Sequence, residues 1–331
     1  PENTIRGYSL QFEPGTNAYE LDYAHAVGEH VGRPINEVPP TVESVDRVMA
    51  ESVRRGWVAI LPTGFMHSGE YRSVRETGGN VLVNGLGGDQ WLSSAQNDRA
   101  EALQLGHWKE LGQSLREDIR AFGPSRVAYL MLRHGVYPLL PHGIRVSARQ
   151  LLRSGSGGGG GAWWLASGLR TILEERSREA ARSRAERASG VRFGLRERIM
   201  AIESPYTVLA GEMMGQTALA AGIENRSPLL SRSYVELCLR FPMTQFRRGQ
   251  VDKHVHRRAM EGLLPEKVRL RTNKADFSAV AGHYIAELAA IPGLGEAPVG
   301  EWLIPDAINR LTSEMLRAQE SDFCQHVDTL L

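Results

Sequence analysis

An apolar run, Val81-Leu82-Val83, leads into Asn84-Gly85-Leu86-Gly87-Gly88-Asp89-Gln90, a glycine-rich turn with one carboxylate. Glycines at 85, 87 and 88 let the backbone take positive φ and bring its N–H groups close to an anion, where a side chain would intrude. Asp89 adds a hard oxygen ligand suited to Mg²⁺. The turn can therefore hold phosphate and a divalent cation together; the plain alternative is a tight turn after a buried strand, common in α/β proteins. Further reactive side chains cluster later in the chain. Gly222-Ile223-Glu224-Asn225-Arg226-Ser227-Pro228-Leu229-Leu230 sets an acid and an arginine two apart before a proline. Asp252-Lys253-His254-Val255-His256-Arg257-Arg258-Ala259 concentrates cations, and Arg271-Thr272-Asn273-Lys274-Ala275-Asp276-Phe277 adds more. Taken singly, Lys253 reads as a solvated helix lysine and Glu224 as an ion-pair partner of Arg226 or a helix end. His254 and His256 sit two apart on an expected helix and face different ways, which argues against a shared metal.

These residues need elements to position them. Residues 5–12 alternate and are rich in strand formers, Glu13-Pro14-Gly15 breaks the run, and residues 19–31 carry apolar side chains at helical spacing. A second helix is expected over 42–54, with Val45, Val48, Met49 and Val53 on one side, and after a polar stretch comes the strand at 81–84. Strands alternating with helices over residues 1–95 predict a parallel α/β sheet as the nucleotide-binding part. Residues 96–331 read as mainly helical, with helices at 100–122, 126–134, 163–187, 205–221, 232–240 and 253–263 and no further strand signal. The glycine-rich stretch 154–161 reads as a mobile loop, either a lid or a passive insertion. Trp163-Trp164 just after it read as core, with a peptide groove as the other use. The arginine-dense stretch 170–198 reads as a solvated helix face, with an RNA- or acidic-peptide-binding surface as the alternative.

Composition narrows the class. A 331-residue chain with 42% hydrophobic residues has ample material for a core. A net charge of +1, from 39 basic and 38 acidic side chains, gives no global attraction to nucleic acid or an anionic membrane. Cys238 and Cys324 are too few for a disulfide framework, so a reducing cytoplasm is the natural compartment. No apolar run reaches the roughly 18 residues of a membrane span.

In order and spacing, the four motif segments and Leu264-Pro265 resemble the synthetase domain of the asparagine synthetases, β-lactam synthetases and lasso-peptide macrocyclases. The family pattern runs G-x-G-x-D-E after a strand, then G-x-E-x-R-x-P-F-x-D, K-x-x-x-R-x-A, L-P and R-x-x-K-x-x-F, over nearly the whole chain. The Gly-Leu-Gly-Gly-Asp turn, Leu139-Leu140-Pro141 and Lys274-Ala275-Asp276-Phe277 lean toward the lasso-cyclase side. The resemblance implies a parallel sheet of the adenine-nucleotide α-hydrolase (HUP) type, with ATP and Mg²⁺ at the carboxyl ends of its strands. It implies that Leu10, Gly85, Leu86, Gly87, Gly88 and Asp89 hold the nucleotide, that Asp89 holds the metal, and that Lys253 steadies the pyrophosphate. The implied reaction makes an acyl-adenylate and passes it to an amine donor. The acid is free aspartate or a carboxylate of a precursor peptide, which a partner protein would deliver.

Departures from the pattern matter too. Leu86 stands where many relatives have a glutamate that handles ammonia, and it cannot move a proton, leaving Glu224 as the motif's candidate base. Gln90 replaces an acid and Ser231 the aspartate after the proline, so a non-catalytic scaffold is a further reading. The S-G-G-x-D-S pyrophosphate loop and the glutaminase nucleophile have no match in the sequence. Both are expected before Pro1, and this stretch by itself is expected to be inactive.

Overall fold

The computed structural model describes residues 5–56, 62–92, 98–141, 143–145, 163–187, 190–248, 251–293 and 301–320. In chain order the elements are β1 (Gly7–Leu10), α1 (Leu21–Val31), β2 (Ile35–Val38), α2 (Val45–Arg55), α3 (Ser68–Glu76), β3 (Val81–Val83), α4 (Gly88–Trp91), α5 (Asp98–Leu105), α6 (Trp108–Phe122) and α7 (Pro124–Met131). They continue with α8 (Ser167–Arg187), α9 (Phe193–Ile202), α10 (Pro205–Ala220), β4 (Glu224–Arg226), α11 (Arg232–Arg240), β5 (Arg247–Arg248), β6 (Val251–Asp252), α12 (His254–Ala259), α13 (Glu266–Arg269), α14 (Ser278–Ala289) and α15 (Ala307–Glu320). The fold is mixed α/β with helix predominating. Among the described residues no helix is long and apolar enough to cross a membrane.

The β1–β2 and β3–β4 pairings are both parallel, as connections running through helices allow. β1 runs beside β2 with Leu10 opposite Val38, and β3 beside β4 with Val81 opposite Glu224 and Val83 opposite Arg226. The expected single sheet is corrected to separate parallel pairs among the described residues, joined by side chains instead of a hydrogen-bonded ladder. The joint is α3, which lies in what reads in sequence as a polar stretch. Its Tyr71 and Val74 are 1% and 3% exposed and share a core with Tyr8 of β1, Leu82 of β3, Ala218 and Ile223. Two apolar residues one turn apart suffice here because both strand pairs close over them.

The expectation of no strand beyond residue 97 is also corrected. β4 is Glu-Asn-Arg, a poor strand by composition, and it exists because β3 supplies a ladder for it. The expected helix at 100–122 divides at Gly106, whose φ of 69° ends α5 before α6 begins. The expected helix at 253–263 is shorter and starts after Lys253. Trp163 packs beneath the Arg310 guanidinium, 4.0 Å from its ring centroid, and Leu165 bridges to Leu303. The glycine loop at 154–161 and Cys324 lie outside the described residues.

The cores tie early chain to late chain. Leu10, Val45 and Met66 pack with Val280 and Tyr284 of α14, while the Tyr284 hydroxyl accepts from the Glu43 amide at 3.0 Å. Glu287 of the same helix accepts from the Val45 amide at 2.9 Å, placing a carboxylate at the N-terminus of α2, where the helix dipole favours it. A second core gathers Trp91, Leu92, Cys238, Met243 and Phe246 under the glycine turn. In the arginine-dense stretch α8 is largely exposed, whereas Arg198 is buried and donates to the carbonyls of Cys238 and Phe241 at 2.5 and 2.6 Å.

Candidate active site

The glycine turn follows β3, held from below and from the side. Gly87 has φ 102°, and a Cβ there would come within 2.6 Å of Leu230 and 2.7 Å of Trp91, so conformation and space both require glycine. Gly85 has nothing within 4 Å of its Cβ position and faces open space. Trp91 is anchored by its indole N–H donating to the Leu229 carbonyl at 2.8 Å. The Asn84 side-chain oxygen accepts from the Leu86 amide at 2.9 Å and from the Ser227 hydroxyl at 2.8 Å, while its nitrogen donates to Asn225 at 2.7 Å. Asn84 thus fastens the turn to the strand of the Glu224 motif.

Asp89, half-exposed at the turn, receives two ammonium groups. Lys253 donates to its Oδ1 at 2.6 Å and Lys274 to its Oδ2 at 2.7 Å. Burial pushes the Asp89 carboxyl up, but the hydrogen bonds and charges of the two lysines outweigh this and lower it to about 2. Lys253 occupies the left-handed region, with φ 55° and ψ 34°, between β6 and α12. A lysine there costs about 1–2 kcal/mol relative to the ordinary helical backbone. What the conformation achieves is direction: it turns the chain into α12 with the ammonium toward Asp89.

Around this centre lies an open cleft of about 340 Å³, lined by Gly85, Gly88, Lys253, His256, Arg257, Arg269, Arg271 and Lys274, among others. Its wall is strongly cationic. Arg257 donates to the main-chain carbonyls of Asp252 and Arg269, Arg269 pairs with the Glu266 carboxylate at 2.7 Å, and Arg271 pairs with Glu20. His256 has its pKa lowered, first by burial and then by the charges of Lys253 and Arg257, and its Nδ1 is 3.4 Å from the Tyr234 hydroxyl.

Of the expected site residues, the cleft is lined by Gly85, Gly88 and Lys253; Asp89 is tied to it through Lys253 and Lys274, and Leu86 and Gly87 complete the same turn. Leu10 and Glu224 are not among the residues lining the cleft. Leu10 is 8% exposed within the core beside α14. Glu224 is exposed at the entry end of β4 and accepts two hydrogen bonds from Arg226 at 2.8 and 3.1 Å, which hold its carboxyl below the ordinary range. Lys274, in the Arg271–Phe277 motif, is a site residue that residue type and spacing alone do not single out. His256, considered from sequence only as a metal ligand, lines the cleft. No cluster of three or more acidic, histidine or cysteine side chains suited to a metal occurs among the described residues.

The asparagine synthase family pattern matches residues 2–291. The chain belongs to the asparagine synthase family. Its members are ATP-dependent amide ligases, and this chain carries that family's synthetase domain. No curated protein matches it. The donor set fits the nucleotide and Mg²⁺ that the family uses. The ionised Asp89 carboxylate, held by two lysines that line a mostly cationic cleft, suits a cation that takes its remaining oxygens from phosphate, and it does not suit a metal held by protein alone.

Proposed function

We propose that this asparagine synthase family member is an AMP-forming amide ligase, with a nucleotide site of the adenine-nucleotide α-hydrolase type at the Asp89 cleft. The observation that carries this reading is the ionised Asp89 held between Lys253 and Lys274 beside the glycine turn. Magnesium bound by Asp89 would neutralise charge on the pyrophosphate leaving group. Lys253 and Lys274 then become available to the phosphate oxygens. Fixed cations aimed at charge that grows during the reaction stabilise it with little reorganisation. The carboxylate to be activated, either aspartate or an acidic side chain of a precursor peptide, loses its charge on joining AMP and becomes open to attack by an amine. The cationic cleft suits the charged acid and holds it beside the nucleotide.

The amine must shed a proton, and Leu86 cannot accept it. Glu224, committed to Arg226, is outside the cleft. His256 lines the cleft and is kept neutral, so it takes the role of base in this proposal. A lasso-type macrolactam and plain asparagine formation remain as the substrate branches.

The test is pyrophosphate release by the full-length protein with ATP and Mg²⁺. Aspartate plus ammonia or glutamine is compared with a candidate precursor peptide. Release that needs a carboxylate substrate and is lost in Asp89→Ala supports the ligase, and the active substrate selects the branch. Release by Asp89→Ala at the wild-type rate, or silence in every arm, overturns it; silence favours the scaffold reading that Leu86, Gln90 and Ser231 motivate.

A further inference from the structure

A second cleft, of about 310 Å³, opens on the other flank of α12. Lys253 and Arg257 line the Asp89 cleft, whereas His254 and Arg258, one helical turn apart, line this one together with Arg248. α6 lines the same cleft with Glu110, Gln113 and Glu117, which share one face at helical spacing. The lining therefore carries charge of both signs.

Some of these groups are already engaged. Arg247 lies 3.6 Å from Asp118 and 3.9 Å from Asp98, and Glu117 accepts from Gln113 at 3.3 Å. Arg248, Arg258 and Glu110 have no ion pair among the described residues. Opposite charges that line one cleft without pairing match a molecule bearing both charges in the reverse sense. A free amino acid has this form, with a carboxylate and an ammonium a few ångströms apart. The Gln113 amide oxygen adds a neutral polar acceptor.

We propose that this cleft is a binding site for a small zwitterion of the α-amino acid class, its carboxylate toward Arg248 and Arg258 and its ammonium toward Glu110. The site is distinct from the Asp89 cleft and needs neither ATP nor Asp89. It stands or falls independently of the ligase reading.

The experiment is calorimetric or NMR titration of the full-length protein, without nucleotide, using glycine, glutamine and glutamate, with acetate and methylammonium as single-charge probes. At least one amino acid is expected to saturate, with both single-charge probes weaker by about tenfold or more, as loss of one charge-assisted contact predicts. Glu110→Gln and Arg258→Gln, at exposed positions, are each expected to weaken it about tenfold while the thermal unfolding midpoint stays put. Asp89→Ala is expected to bind as wild type. The proposal is overturned if no amino acid saturates, if acetate or methylammonium binds as tightly, or if both charge variants bind normally. Loss of binding in Asp89→Ala also overturns it, since that places the ligand in the other cleft.

Discussion

Asp89 and Asp118 each meet two basic side chains, with opposite consequences. Asp118 is completely buried, receives Arg99 at 2.5 Å, and has Arg247 3.6 Å away. Asp89 is 50% exposed and is held by Lys253 and Lys274, of which Lys274 is 82% exposed. Arginine's planar, weakly hydrated fork suits a permanent buried pair, while lysine is a hydrated point charge that readily changes partner. The Asp118 cluster therefore welds α5 and α6 to β5, and the Asp89 cluster is the set of charges that the proposed ligase would redistribute on phosphate and metal.

Breaking the buried pair is the severest test of that contrast. Asp118→Ala leaves Arg99 charged and 0% exposed without its carboxylate, and should lower stability by about 3–5 kcal/mol in urea unfolding. A loss below about 1 kcal/mol would erase the distinction, because that is what an exposed pair contributes. Lys253→Ala should do the reverse, reducing pyrophosphate release about 10²–10³-fold while the urea midpoint barely moves. A parallel fall in activity and stability would make Lys253 structural. Gly87→Ala should cost about 1–3 kcal/mol, since the new Cβ meets Leu230 and Trp91 in a left-handed backbone, whereas Gly85→Ala should be close to neutral for folding.

The subtlest comparison is in pH. Asp89 is lowered from 3.8 to about 2, so the stabilisation of its ionised form is whole above the ordinary value and fades as pH falls through about 2. A carbon-detected NMR titration should place Asp89 there, and Lys253→Ala should move its midpoint upward. An unmoved midpoint would mean that the lysine contact does not persist in solution. His256 runs on a different window. Its pKa lies below 6.5, so the folded state favours the neutral ring, and the resulting stabilisation is whole above that value and fades as pH falls through the lowered pKa.

The parts legible in sequence are those with a local cause. Helices such as α1, α2 and α11 show as apolar spacing, and the glycine turn shows at Gly87, where the left-handed backbone and the close packing both require glycine. α3 was hidden because its buried apolar residues are just Tyr71 and Val74, and β4 because Glu-Asn-Arg has no strand preference to detect. Asp118 and Arg99 gave no signal either, since charged residues on helices look solvated until another helix covers them. In the site, Lys274 was visible as a motif residue, but nothing near it in sequence points to Asp89.

By itself the sequence determined the glycine turn at 85–89, the helical periodicities and the ordered motifs that place the chain among the asparagine synthases, because each depends on residue type over a short span. Tertiary structure alone decided which cations face Asp89. Lys253 and Lys274 lie 164 and 185 residues away from it, and only packing of the two cores brings them within hydrogen-bond reach. Tertiary structure likewise put Leu10 in a core, because burial depends on what folds back over a residue, whereas the Glu224–Arg226 pair joins residues two apart and is readable from the chain itself.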